Sequence, residues 1–191
     1  MTYAALSGVD VEKQEMPDGV QIVPLAMHQD YRGCFTELLR RAWLPHFEPN
    51  QINFVVSEPN VLRGVHVHRH HSDFLVFVKG TAIVALKDLR HSSDTYLCGG
   101  LFTFHDTALQ GIFIPPGVAH AFYFPSGGAH LYAVDRYFDG SDEFGCRYDD
   151  PQLGLSWPCS NPLLSPRDRS LPSLGELLNE IDTWQSGDTS A

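Results

Sequence analysis

The sequence predicts an all-β sandwich or barrel, and three features of the chain support that prediction. Short apolar runs rich in Val, Ile and Phe recur at near-regular intervals between residues 20 and 138. Gly, Pro, Asn and Asp separate these runs, as is typical of strands joined by turns. No alternation of strands with long helical patterns is present, which argues against an open parallel sheet.

The composition is that of one folded domain without an affinity for polyanions. The chain has 191 residues, of which 43% are hydrophobic, enough for a single domain with a sizeable core. It carries 23 acidic and 13 basic residues, a formal net charge of −10. This charge argues against nucleic acid and anionic membranes as partners, whereas a small phosphate-bearing ligand needs only a few arginines.

Cysteine usage and the N-terminus indicate a cytoplasmic protein. Four cysteines occur without a C-x-x-C pair or a zinc-site spacing: Cys34, Cys98, Cys146 and Cys159. We expect reduced thiols, with disulfides as the alternative. The N-terminal residues lack the basic and apolar segments of a signal peptide, and no apolar run approaches the ~20 residues of a membrane span.

The elements are predicted within one domain, residues 1–191. Residues 1–19 form a polar N-terminal arm, residues 20–138 the barrel, and residues 139–191 a coil and helix packed on it. Strands are predicted at residues 20–25, 34–39, 51–57, 61–78, 81–90, 101–104, 111–114, 120–124 and 130–138.

The C-terminal coil is expected to pack on the barrel because four apolar side chains in it need burial: Leu153, Leu155, Trp157 and Leu163. A helix is predicted over residues 173–184. Ser173 and Glu176 have the spacing of a capping box, and Leu174, Leu177, Leu178 and Ile181 form its apolar stripe.

A histidine-rich segment, residues 61–80 (VLRGVHVHRHHSDFLVFVKG), is the centre of the functional prediction. On a strand, His66, His68 and His70 share one face, and the two valines between them share the other. His120 lies in a similar strand context in IPPGVAHAF. A solvated loop is the alternative, but the alternating valines favour a half-buried strand.

Two kinds of chemistry fit these histidines. The first is a metal site of His66, His68, Asp73 and His120, whose spacing resembles the signature segments of the cupin superfamily, with Asp73 in place of the usual Glu. Imidazoles and a carboxylate suit Fe, Mn, Ni or Zn. The second is metal-free acid–base catalysis, in which a histidine oriented by a carboxylate removes a proton next to a carbonyl and Tyr132 returns it.

Five segments then resemble the dTDP-4-dehydrorhamnose 3,5-epimerase family, over about residues 20–174. They are DYRGCFTE (30–37), QINFVVSEPNVLRGVH (51–66), IPPGVAHAF (114–122), the run from HLYAVDRYF to RYDDPQLGLSWP (130–158), and LLSPRDRSLPSL (163–174). The resemblance implies a cupin-like jelly-roll barrel with a C-terminal coil and short helix. It also implies an epimerase of a nucleotide-linked 4-keto-6-deoxy sugar, with dTDP as the expected nucleotide, acting at C3, C5 or both.

The resemblance implies roles for individual residues. His66 is the base that removes the proton beside the C4 ketone, Asp168 orients it, and Tyr132 is the acid on the far face. Residues implied to hold the nucleotide, its phosphates or the sugar are Arg32, Glu37, Gln51, Asn53, Arg63, His68, His120, Phe138 and Arg167.

The chain also departs from the family pattern. Asp73 stands where the family has a lysine near the C4 oxygen, and Val84 replaces the acidic partner of that lysine. An enolate oxygen still needs positive charge, for which a protonated His68 or His70, or a bound metal, are candidates. The shortened segment 63–80 also resembles that of sugar-nucleotide 3,4-ketoisomerases.

The resulting hypothesis is a cytoplasmic, cofactor-independent epimerase that forms a homodimer, with residues 1–40 making much of the contact. One alternative is a metal-dependent cupin, either an oxygenase or a 3,4-ketoisomerase-like enzyme, with the divalent ion on the four residues named above. The other is a non-catalytic sugar-nucleotide binder with the same fold.

Overall fold

The computed structural model describes residues 14–138 and 140–187. Most of the polar arm predicted for residues 1–19 therefore lies outside the described residues. The described residues form eleven strands: β1 (Gln21–Pro24), β2 (Met27–Asp30), β3 (Gly33–Thr36), β4 (Gln51–Ser57), β5 (Val61–Val67), β6 (Asp73–Asp88), β7 (Gly99–His105), β8 (Gln110–Ile114), β9 (Val118–Phe124), β10 (Gly128–Val134) and β11 (Phe144–Gly145).

Helical segments are short and lie mostly at the C-terminal end. They are two 3-10 turns (Arg41–Trp43 and Pro151–Leu153), α1 (Pro166–Arg169) and α2 (Leu174–Gly187). The sequence predicted α2 but not α1, because a four-residue helix is too short to give a periodic apolar pattern. The predicted capping box at α2 is present, since Ser173 Oγ accepts from the backbone N–H of Glu176 and Ser173 N–H donates to Glu176 Oε2.

Nine of the strands form two antiparallel sheets that share β6, and β2 and β3 form a separate hairpin. One sheet has the order β1-β8-β6-β10-β4, and the other has the order β7-β6-β9-β5-β11. The sequence separated β6 into two runs at Gly80, but the structure has one 16-residue strand. Gly80 has a φ of +81°, and a Cβ there would lie 2.5 Å from the carbonyl oxygen of Gly127. Glycine therefore lets one strand pass from the first sheet to the second.

The core lies between the two sheets, with a second apolar layer under α2. Leu75, Phe77, Val84, Leu86 and Phe124 are buried in the first layer. The second layer contains Val65, Val67 and Leu153 packed against Leu174, Leu177 and Ile181 of α2. Leu155 and Trp157 are partly buried against it, as predicted. Leu163 is 56% exposed, so the prediction that it needs burial is wrong.

The histidine-rich strand is shorter than predicted. β5 ends at Val67, so His68, His70 and His71 lie in the turn before β6 rather than on a strand face. The predicted alternation holds only for residues 65–67, where both valines are buried and His66 lies on the other face. Likewise β10 ends at Val134, four residues before the predicted end.

All four cysteines are in the reduced thiol form, as expected. In the part of the chain that the structure describes, no helix has the length and apolar character to cross a bilayer.

Candidate active site

A cavity of about 310 Å³ opens between the two sheets and receives side chains from both. The C-terminal coil closes one side of it through Ser165, Arg167 and Asp168. Residues of this cavity that the sequence predicted as functional are Gln51, Asn53, Arg63, His66, His68, Asp73, His120, Tyr132, Phe138, Arg167 and Asp168.

His66 and Asp168 form a close pair on one wall of the cavity. Nε2 of His66 lies 2.6 Å from Oδ1 of Asp168. Burial raises the pKa of Asp168, but the interactions with His66 and the hydrogen bonds from Ser165 and the backbone of Gly64 together outweigh burial, so the pKa of this carboxyl lies below its usual value. Among the described residues, Asp168 is the only hydrogen-bond partner of the His66 ring. The other ring nitrogen is therefore available to a molecule in the cavity.

Local features of the chain place this pair. Ser165 caps α1, since its Oγ accepts the backbone N–H of Asp168 at 3.0 Å, and Pro166 begins the helix. On β5, Gly64 lies so close to β9 that a Cβ would be 2.7 Å from the carbonyl oxygen of His120. The register shifts between Arg63 and His66, which sets His66 opposite His120.

Tyr132 lies on the opposite sheet, in β10. Its neighbours in register are Asn53 of β4 and Leu75 of β6, which also line the cavity. Burial raises the pKa of Tyr132, and the nearby carboxylates of Asp73 and Glu143 raise it further. The hydroxyl is thus kept protonated, as a proton donor must be.

Amides and arginines supply the cavity with hydrogen-bond donors. Gln51 Nε2 donates to Asn53 Oδ1 at 2.8 Å, and the buried Nδ2 of Asn53 has no partner among the described residues. Arg63 Nε donates to Ser57 Oγ at 3.0 Å, and Arg167 pairs with Glu143 at 2.8 Å. Together with Arg136, these arginines place three guanidinium groups at the cavity, a type of group that can bind phosphate.

Two predicted binding residues do not reach this cavity. Arg32 lies in the β2–β3 hairpin, 74% exposed, and pairs with Asp30 at 2.6 Å. Glu37 follows the hairpin and pairs with Arg40 at 2.6 Å. Neither side chain lines the cavity of its own chain.

A group of histidines surrounds the carboxylate of Asp73 on the cavity wall. The Nε2 atoms of His68, His71 and His120 lie 3.7, 3.9 and 3.8 Å from Asp73 Oδ2. Of the four ligands in the predicted alternative metal site, His68, Asp73 and His120 come together. His66 does not join them, because its Nε2 is bonded to Asp168 instead.

The pKa values of Asp73 and the surrounding histidines are shifted in different directions. Burial raises the pKa of Asp73 to about 7. Burial and the neighbouring His71 lower the pKa of His68 to about 4, and burial holds that of His120 well below its usual value. Burial also lowers the pKa of His71, but its hydrogen bond to Asp142 and the nearby carboxylates raise it more.

Asp142 was not predicted from the sequence, although it holds the turn between β5 and β6 in place. Its carboxylate accepts the backbone N–H groups of Arg69 (2.5 Å), His70 (3.0 Å) and His71 (3.2 Å), and also Nδ1 of His71 (2.9 Å). Hydrogen bonds from these groups lower the pKa of Asp142 to about 2, against the effect of burial. Asp142 lies in a Gly- and Asp-rich coil about seventy positions away, so no local pattern indicates this contact.

The other polar cavity residues that were not predicted are His71, His130, Arg136, Glu143 and Ser165. His130 could have been predicted, because it is two positions before Tyr132 on β10 and residues two apart on a strand share a face.

The chain is similar in sequence and in structure to known proteins. The sequence model of a family described as dTDP-4-dehydrorhamnose 3,5-epimerase matches residues 14–176. The chain belongs to this epimerase family. It is 34% identical over 151 residues to the spore coat polysaccharide biosynthesis protein SpsL of Bacillus subtilis, covering 74% of this chain and 97% of that protein.

Other members of the family are similar to this chain in sequence or in fold. A dTDP-4-dehydrorhamnose 3-epimerase of Streptomyces niveus is 33% identical over 130 residues, which span 66% of this chain and 63% of the relative. The structure of an RmlC epimerase of Legionella pneumophila in complex with dTDP-4-keto-L-rhamnose superposes with a TM-score of 0.78 at 28% identity, covering 89% of this chain and 93% of that one. The predicted family, the cupin-like fold and the isomerase class of enzyme are thereby confirmed.

Proposed function

We propose that this epimerase-family protein inverts a carbon next to the C4 ketone of a dTDP-linked 4-keto-6-deoxy sugar, at C3, C5 or both. The observation that carries the proposal is the pair of His66 and Asp168, 2.6 Å apart on the wall of a cavity that Tyr132 enters from the opposite sheet. Base and acid on opposite walls are what inversion by proton removal and return requires.

His66 acts as the base in this proposal. The Asp168 carboxylate accepts a hydrogen bond from Nε2, which leaves Nδ1 as the nitrogen with a free lone pair. When Nδ1 takes the proton from the sugar, the ring becomes an imidazolium, which the carboxylate stabilises. Tyr132 then delivers a proton to the other face of the carbon, because it projects from the facing sheet.

Arginines and amides would hold the nucleotide end of the substrate. Arg63 and Arg167 suit the diphosphate, since a guanidinium binds phosphate oxygens with two parallel hydrogen bonds. Gln51 and Asn53 offer amide groups, and Phe138 offers a ring on which a base can stack. His68 and His120 line the part of the cavity near His66, where the sugar would lie.

The proposal includes a homodimer, because an apolar sheet face is uncovered in the single chain. Alternate residues of β4, Ile52, Phe54 and Val56, are 66%, 61% and 62% exposed. Among the described strands, β4 pairs only with β10, so one edge of β4 is also free. Tyr31 and Phe35 in the β2–β3 hairpin are likewise exposed.

A second copy of the chain that docks its N-terminal 40 residues on β4 would cover these side chains. Arg32 and Glu37 of one protomer would then reach the cavity of its partner, which accounts for their distance from their own. Residues 51, 53 and 55 face the cavity from the same strand, so the contact would lie directly behind the substrate site.

The proton transfers in this proposal need no cofactor, because an imidazole, a carboxylate and a phenol provide every group involved. A cytoplasmic location accords with the free thiols and with a nucleotide-sugar substrate.

Solvent exchange tests the proposed function. The protein is incubated in D2O with dTDP-4-keto-6-deoxyglucose, and the product is analysed by NMR and mass spectrometry. We expect one deuteron for each inverted centre, and the carbon that carries it identifies C3 or C5. The variant His66→Gln should lose incorporation, whereas His46→Gln, which changes an exposed histidine outside the cavity, should keep it. Incorporation at the wild-type rate in His66→Gln would refute the proposed base.

A further inference from the structure

Three histidine nitrogens converge on one carboxylate oxygen without bonding to it. Nε2 of His68 and Nε2 of His120 lie 3.7 and 3.8 Å from Asp73 Oδ2, and Nε2 of His71 lies 3.9 Å away. These separations exceed the roughly 3.2 Å limit of a good hydrogen bond. The groups therefore surround a common space rather than satisfy one another.

The hydrogen bonds of the Nδ1 atoms show that the Nε2 atoms carry the free lone pairs. Nδ1 of His68 faces the carbonyl oxygen of Asp142 at 2.9 Å, and Nδ1 of His120 faces that of Val118 at 3.3 Å. A carbonyl oxygen can only accept, so each Nδ1 carries the hydrogen. Each Nε2 is then an unprotonated acceptor directed towards Asp73. Metal-binding histidines in proteins are oriented by such hydrogen bonds from their second nitrogen.

We propose that His68, His120 and Asp73 form a binding site for a divalent first-row transition-metal ion on the wall of the substrate cavity. Their three ligand atoms lie within 4.8 Å of one another. Metal–ligand bonds of about 2.1 Å place neighbouring ligands roughly 3.0–3.5 Å apart, so Nε2 of His68 and of His120 each need to approach the Asp73 carboxylate by a few tenths of an ångström. Two imidazoles and one carboxylate favour Zn²⁺, Fe²⁺, Co²⁺ or Mn²⁺ over Ca²⁺ and Mg²⁺.

His71 supports this site from the side. Its ring stacks on that of His68 with centroids 3.8 Å apart, and Asp142 binds both rings. Both rings are thus held by the segment that contains Asp142. His66 lies outside the ligand set because its Nε2 is bonded to Asp168, so a metal ion would leave the proposed base intact.

The role of the site rests on the proposed epimerase function, although ion binding itself does not. All three ligands line the cavity that also holds His66 and Tyr132, so open coordination positions would face the substrate. Removal of a proton beside a ketone places negative charge on the ketone oxygen. A divalent cation at this wall would stabilise that charge as a Lewis acid.

Cobalt titration tests the site independently of turnover. The full-length protein is stripped with chelator, dialysed and titrated with Co²⁺, and visible absorption and equilibrium dialysis report binding. We expect one Co²⁺ per chain, displaced by Zn²⁺. Asp73→Asn and His120→Gln should each weaken binding about tenfold or more. Because Asp73 is buried, circular dichroism is recorded for each variant, and His68→Gln provides a third variant if one fails to fold.

Matched variants separate the two proposals. His66→Gln should bind Co²⁺ like the wild type while losing deuterium incorporation, and His46→Gln should retain both properties. Uptake of less than one equivalent by the wild type, or equal affinity in the folded Asp73→Asn variant, would overturn the cation site. A wild-type exchange rate in His66→Gln would instead refute the proposed base and leave the cation site standing. For the catalytic role we expect exchange to slow in stripped protein and to recover with one equivalent of metal, because the proton-transferring groups themselves belong to the chain. An unchanged exchange rate in stripped protein would overturn that role.

Discussion

The carboxylate of Asp168 lies 2.6 Å from Nε2 of His66, although 102 positions separate the two residues in the chain. The contact exists because α1 begins at Pro166 behind the Ser165 cap and lies against β5. It gives the cavity a histidine with one nitrogen bound by a carboxylate and the other available, the arrangement that a general base uses.

We predict that Asp168→Asn slows deuterium incorporation by roughly 100- to 10,000-fold, because an amide cannot stabilise the imidazolium form of His66. Binding of dTDP, measured by calorimetry, should be nearly unchanged, since the arginines proposed to bind the diphosphate remain. Asp149→Asn is the matched control, as Asp149 is exposed and pairs with Arg147 outside the cavity. An Asp168→Asn enzyme with the rate of the wild type would argue against the pair.

Tyr132→Phe should separate proton removal from inversion. His66 would still take the proton and return a deuteron to the same face, while the donor on the opposite sheet would be missing. We therefore expect exchange of substrate hydrogen to continue, with the yield of the epimer reduced about 100-fold or more. NMR of the sugar in D2O distinguishes exchanged substrate from inverted product.

Tyr137→Phe serves as the control for this variant, because Tyr137 is 73% exposed and lies outside the main cavity. Equal epimer yield in Tyr132→Phe and the wild type would assign the returning proton to another group.

Much of this site was accessible from sequence because its residues lie in segments with a strong local pattern. His66, Tyr132 and His120 are on strands that the sequence predicted, and the segment around Ser165 and Asp168 resembles the corresponding family segment. The orientation of His68 and His71 was not accessible, because Asp142 fixes their turn by contacts across more than seventy positions. Hydrogen bonds between residues so far apart in the chain produce no periodic pattern in the sequence of either segment.

The predicted role of Arg32 also could not be located from the sequence of one chain. The sequence placed it at the nucleotide, but the β2–β3 hairpin pairs only with itself among the described strands and stays outside the cavity of its own chain. If a residue lies in the site of a neighbouring protomer, the sequence shows its chemical type but does not show which protomer's site it enters.

Phe54→Asp should convert the proposed dimer into monomers. Phe54 is 61% exposed on the outer face of β4, so a charge there would not disturb the fold but would be buried, unpaired, in an interface. Sedimentation at micromolar concentration should show a dimer for the wild type and a monomer for the variant. The control is Thr103→Asp, an exposed strand position on β7 in the other sheet. A wild-type protein that sediments as a monomer would refute the dimer.

Stability should fall in mild acid because of His130. This side chain is 2% exposed, stacks on Phe124 and has Phe77 and Phe122 as further ring neighbours. Burial, and to a lesser extent the charge of Arg63, lowers the pKa of His130 from 6.5 to about 4. Between these values the unfolded chain binds a proton that the folded chain does not, so unfolding becomes easier as the pH falls.

The contribution of His130 to stability should therefore be fully present above pH 6.5 and decrease as the pH falls from 6.5 towards 4. Its upper limit is roughly 3 kcal/mol, at about 1.4 kcal/mol per pKa unit. Urea unfolding of the wild type and of His130→Phe, each at pH 5 and pH 7.5, measures this contribution. Because phenylalanine suits the aromatic surroundings and does not titrate, His130→Phe should lose less stability than the wild type between the two pH values. An equal loss in the two proteins would show that other groups cause the acid sensitivity.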